Sequence, residues 1–97
     1  MSKSFVFASY DRAAQCYMQP FFAPHAGVAV RGFTDAIKSP KRDSDISLHP
    51  DDFDLYELGE FDNVDGIFAL HKAPKLLVQG KQVALTNSPE QLSLTGS

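Results

Sequence analysis

The chain has 97 residues, 43% of them hydrophobic, and a formal net charge of −3 from nine basic and twelve acidic residues. That length makes one domain rather than two, and no apolar run approaches the ~18 residues of a membrane span. Met1-Ser2-Lys3-Ser4 lacks the long apolar stretch of a signal peptide, and the lone Cys16 can form no internal disulfide, which fits a reducing cytoplasm.

Phe5-Val6-Phe7-Ala8-Ser9-Tyr10 is an aromatic and β-branched run and predicts a strand. Asp11-Arg12-Ala13-Ala14 reverses the chain, and residues 15–19 return as a second strand that Pro20 ends, because proline cannot donate to a ladder. A helix follows, with Pro24 suited to its first position. Ala26, Ala29, Val30, Phe33, Ala36 and Ile37 fill an arc of roughly 120°, the width of a core-facing stripe. Ser39-Pro40 stops it. Gly27 and Gly32 weaken the helix off the buried arc, and close approach of a backbone or partner would account for them.

Residues 39–50 read as a mobile polar loop, and Pro50-Asp51-Asp52 as a single helical turn. Leu55 to Phe61 predicts a third strand, Asp62-Asn63-Val64-Asp65-Gly66 a hairpin connection, and Ile67 to Leu70 the returning strand. Leu76-Leu77-Val78 adds a short last strand, and the chain from Gly80 reads as a loose tail. The expected fold class is α+β: a small antiparallel sheet of about four strands in ββαββ order, with one main helix packed on one face. The domain spans residues 1–79 and the tail 80–97. One helix covers one face only. Tyr10, Tyr17, Tyr56 and several phenylalanines are candidates to line the other.

No catalytic constellation emerges. His49 beside Asp51, Asp52 and Asp54 does not define a metal geometry, and a turn with a solvated helix start explains it. The 62–66 segment fails the calcium-loop pattern, since Val64 and Gly66 fall on ligand positions. Cys16 has no nearby cationic cluster to activate it and reads as structural or half-buried. His25, His49 and His71 form no recognisable triad, and no phosphate-binding glycine loop occurs. The chain is therefore expected not to be an enzyme and to need no cofactor or metal.

Binding remains. Residues 1–42 carry Lys3, Arg12, Arg31, Lys38, Lys41 and Arg42 against Asp11 and Asp35, a net of +4, whereas residues 43–65 carry nine acids and no Lys or Arg, a net of −9. Residues 66–97 return to +2. The six cations share their half with Tyr10 and Tyr17. Cations that track phosphates, and aromatics that stack on unpaired bases, are what single-strand binding requires. These eight residues are the candidate DNA contacts. The acidic tract supports a second reading, an adaptor that docks on a basic replication or packaging protein. An open sheet face or free strand edge predicts a homo-oligomer.

Ser9-Tyr10-Asp11, Pro20-Phe21-Phe22, Ala26-Gly27, Ala29-Val30-Arg31-Gly32-Phe33, His49-Pro50-Asp51-Asp52-Phe53, Leu55-Tyr56 and Leu58-Gly59-Glu60-Phe61-Asp62 with Gly66 occur in a characteristic order. Over about residues 4–78 the chain resembles the small nonstructural protein of microviruses, the gokushovirus-like phages with single-stranded DNA genomes. The resemblance implies a DNA-binding protein made in the host bacterial cytoplasm. It further implies a role in viral genome replication or in the switch to single-stranded genome synthesis and packaging.

Overall fold

The computed structural model describes residues 3–85. Strands β1 (Lys3–Asp11), β2 (Cys16–Tyr17) and β3 (Phe21–Ala23) precede helix α1 (Ala26–Ile37). A short helix α2 (Asp45–Leu48) and a 3₁₀ turn (Pro50–Asp52) lead into β4 (Phe53–Asp62), β5 (Ile67–Gln79) and helix α3 (Gly80–Leu85). The expected α+β class, with its antiparallel curled sheet and one main helix, is what the chain adopts. The sheet order is β2-β1-β4-β5, all antiparallel, and β3 shares the β2 edge of β1.

The predicted second strand, residues 15–19, is shortened to Cys16–Tyr17, and β3, which the sequence did not predict, follows Pro20. Tyr17 pairs with Tyr10, and the Met18 amide still donates to the Ser9 carbonyl at 2.7 Å. The ladder is then lost around Pro20 and resumes with Phe21, Phe22 and Ala23 opposite Phe7, Val6 and Phe5. A proline lacking its N–H sits at the break. The reversal after β1 is held by Asp11, whose Oδ1 accepts from the amides of Ala13 and Ala14.

Alternation along β1 sorts its side chains between two faces. Phe5, Phe7 and Ser9 point toward α1; Val6, Ala8 and Tyr10 point away. The core lies on the α1 side: Phe7, Ala23, Phe53 and Leu55 pack with Ala29, Phe33 and Ile37 of the helix and Val83 of α3. The predicted helical stripe is therefore the buried one. Pro24 lies one residue before the N-cap His25, not at the first helical position. Gly32 has open space around it, and a Cβ on Gly27 would meet only the His25 ring, so no backbone approaches either glycine.

Three further segments depart from expectation. The 39–50 loop contains α2, closed by a capping box in which the Ser44 side chain accepts from the Ser47 amide and Ser47 Oγ accepts from the Ser44 amide. Ile46 packs on the core beside the buried Ser47. The short strand expected at residues 76–78 is the end of β5, which runs continuously from Ile67. Finally, α3 extends the packed domain past residue 79, because Gly80 and Val83 are buried. Residues 86–97 of the expected tail lie outside the described residues.

The turn between β4 and β5 matches the expected hairpin. Asp62 Oδ1 accepts from the amides of Val64 and Asp65, and the Gly66 amide donates to the Asp62 carbonyl at 2.7 Å.

Candidate nucleic-acid interface

The face turned away from α1 carries two clusters of rings. At one end Tyr10, Tyr17 and Tyr56 meet edge to face, with centroids 4.7 Å (Tyr10–Tyr17), 5.6 Å (Tyr17–Tyr56) and 6.3 Å (Tyr10–Tyr56) apart. At the other end Phe22, Phe61 and Phe68 lie 4.8–6.2 Å apart. The sheet register explains both. Tyr17 and Tyr10 are cross-strand partners, as are Phe61 and Phe68, and Ala8 faces Tyr56 while Val6 faces Phe22. Ring pairs in this geometry contribute about 0.5–1.5 kcal/mol each beyond area burial. Val6 and Ala8 are buried between the clusters although they stand outside the α1-side core. The rings thus cover a thin second apolar layer and still present their own surface: Tyr17 is 43%, Phe22 53% and Phe68 51% exposed.

The eight candidate DNA contacts divide between two sides of the molecule. Tyr10, Tyr17 and Arg12 share the open face. Arg31 lies on the exposed surface of α1, Lys38 is its half-buried C-cap, and Lys41 and Arg42 are exposed in the following loop. Lys3 bonds Glu60 at 3.3 Å, at the far end of β1. Tyr56, Phe22, Phe61 and Phe68 complete the aromatic face but were not among the eight. The signal for Phe61 and Phe68 is symmetric placement about the 62–66 turn, which makes them cross-strand neighbours.

The acidic tract is not one surface. Asp54 is 3% exposed and bonded to Arg12, and its Oδ1 has no partner among the described residues. This hydrogen bond to Asp54 is the main cause that raises the Arg12 pKa above its ordinary value. Desolvation, with Asp54 adding to it, raises the Tyr56 phenol above 10.0. Glu57 bonds His71 at 2.7 Å and Glu60 bonds Lys3. The basic and acidic segments therefore pair with each other at Lys3 and Arg12. Asp43, Asp45, Asp51 and Asp52 keep out of salt bridges among the described residues, around α2 and the 3₁₀ turn. Cys16 is exposed on β2 rather than half-buried.

A cleft of about 290 Å³ between β1 and α2 is lined by Ser9, Met18, Ser44, Asp45, Ile46 and Phe53. Its one charged side chain is an acid, which repels phosphate. Among the described residues no group of His, Cys, Asp and Glu is placed to hold a metal ion, and no helix is long and apolar enough to cross a membrane.

A curled antiparallel sheet with one helix-covered face and one aromatic face defines the class: a small α+β protein with an open sheet surface. Residues 4–83 match the family described as Phage ORF5 protein, and the chain belongs to that family. This agrees with the resemblance at the level of a bacteriophage protein. No curated protein and no solved structure matches the chain.

Proposed function

We propose that this is a non-enzymatic, single-stranded DNA-binding protein of a gokushovirus-like microvirus. It acts in the host bacterial cytoplasm, in genome replication or in the switch to single-stranded genome synthesis and packaging. The observation that carries the reading is the pair of ring clusters on the sheet face that, among the described residues, no helix covers. Unpaired bases stack on such rings with about 1–3 kcal/mol per base and little regard to sequence. The rings are already ordered against one another, so little side-chain freedom remains to be lost on binding. Membership of a phage family and the microvirus resemblance supply the biological setting.

The charge layout makes the salt dependence diagnostic. A strand on the open face meets Arg12, already paired with a carboxylate, whereas Lys3 and its partner Glu60 lie on the α1 side of the sheet. Each phosphate neutralised on a single strand contributes about −0.7 to the log–log salt slope, so this path, with one cation, gives about −0.7. A strand along Arg31, Lys38, Lys41 and Arg42 gives about −2.8. Fluorescence anisotropy with labelled oligonucleotides across a salt series separates the two, with a duplex as control. The expected result is a shallow slope, a loss of tenfold or more on Tyr17→Ala or Phe22→Ala, and no loss on Arg31→Ala. Absence of salt-sensitive single-strand binding at low salt overturns the reading.

The four acids around α2 and the 3₁₀ turn favour a second reading, docking on a basic phage or host replication or packaging protein. Asp51→Asn with Asp52→Asn would then reduce recovery of that partner from infected cells, and unchanged recovery counts against it. Asp54, being buried, is no part of such a surface.

A further inference from the structure

β5 is the outermost strand beyond β4, and its second edge has no partner among the described residues. A free strand edge pairs with another chain unless lysine, proline or a bulge blunts it. β5 carries all three devices, but only in its second half. His71, Lys72, Ala73 and Pro74 stand against the single residue Leu58 of β4, and Lys75 follows. Residues 67–70 instead pair one for one with residues 59–62 and hold no charge, no proline and no bulge. Their side chains are open: Ile67 is 61%, Phe68 51% and Leu70 64% exposed.

Charge along this edge is polarised. Asp62 and Asp65 stand at the turn end, and Lys72 and Lys75 at the other. A second copy laid antiparallel brings each acidic end beside a basic end, whereas a parallel copy sets like against like. We propose that residues 68–70 pair antiparallel with the same residues of a second copy of this chain. The result is a two-fold dimer whose sheet runs through both protomers. With the pairing centred on Ala69, Phe68 of one copy lies opposite Leu70 of the other. Both side chains are on the open face, so the pair removes exposed apolar surface from water. The two phenylalanine clusters become neighbours across the dyad. So narrow an interface belongs below about 1,200 Å² of total buried area, the weak end of specific association.

Sedimentation equilibrium of the full chain from about 1 μM to about 1 mM tests the dimer without DNA. The expected result is a monomer–dimer equilibrium within that range. Leu70→Lys should weaken it at least tenfold with unchanged circular dichroism. Asp65→Lys and Lys72→Asp should each weaken it alone, and an equimolar mixture of the two should recover dimer, because opposite charges then face each other. The charge variants test the same contact without altering an apolar residue. A wild-type chain that stays monomeric at about 1 mM overturns the proposal. So does an undiminished Leu70→Lys dimer, or a mixture that pairs no better than its components.

Discussion

Gly59 is the point at which β4 changes register against both neighbours, Val6 of β1 and Leu70 of β5. Its φ is +157°, and a Cβ there would stand 2.5 Å from the Ala69 carbonyl oxygen and 2.7 Å from Leu70 Cα. Both obstacles are backbone, so the strand itself must shift. Gly59→Ala is expected to cost about 2 kcal/mol, the scale of an overpacked site, read as a lower urea midpoint. Tyr56 gives a pH signature. Its folded pKa is raised, so the folded state holds the phenolic proton more tightly than the unfolded chain. Stability is then fully present below 10.0 and falls as pH rises through the folded value. Urea denaturation at about pH 9 and about pH 11 should show this loss in the wild type and a smaller one in Tyr56→Phe, and an equal loss in both rejects the assignment. Asp54 marks the limit of reading residues from the chain alone. A carboxylate within a run of acids reads as solvated, yet this one is buried against Arg12, 42 positions away.

At the scale of elements, α1 was legible because its apolar spacing is long and regular, and the same residues form its buried side. Gly32 stands on the other side with nothing around it. Gly32→Ala is expected to stabilise the fold by up to about 1 kcal/mol through helix propensity, seen as a higher melting temperature. A destabilised Gly32→Ala would mean that the exposed side of α1 has a constraint that propensity ignores. The elements that escaped the sequence are short. A two-residue strand and a four-residue helix have no periodicity to detect, and α2 is closed by serine where the usual capping box carries Glu or Gln. For α3 the decisive fact is tertiary: a Cβ on Gly80 would lie 2.1 Å from the Pro50 carbonyl oxygen, so only glycine lets the chain approach there.

At the scale of the whole molecule, the net charge of −3 describes no surface. Two of the six cations of the first segment are paired with acids of the second, and the remaining four lie on the side away from the rings. Of the aromatic half, Tyr10 and Tyr17 were legible as contacts and Tyr56 as lining the open face, whereas Phe22, Phe61 and Phe68 were not singled out, because their meeting depends on which strands pair. The cationic half was not legible, because ion pairing across the sheet depends on register. That register also bears on how the chain is made. β1 lies inside the sheet, between the β2/β3 edge and β4, so one whole flank waits for residues 53–62. At about 5–20 residues per second, β4 leaves the ribosome several seconds after β1. During that interval Phe5, Val6 and Phe7 have only the short β3 to pair with, and neither core layer can close. A large share of long-range pairing also slows folding itself toward the millisecond-to-second range. That lag, rather than the finished fold, is the stage most open to strand exchange between nascent chains.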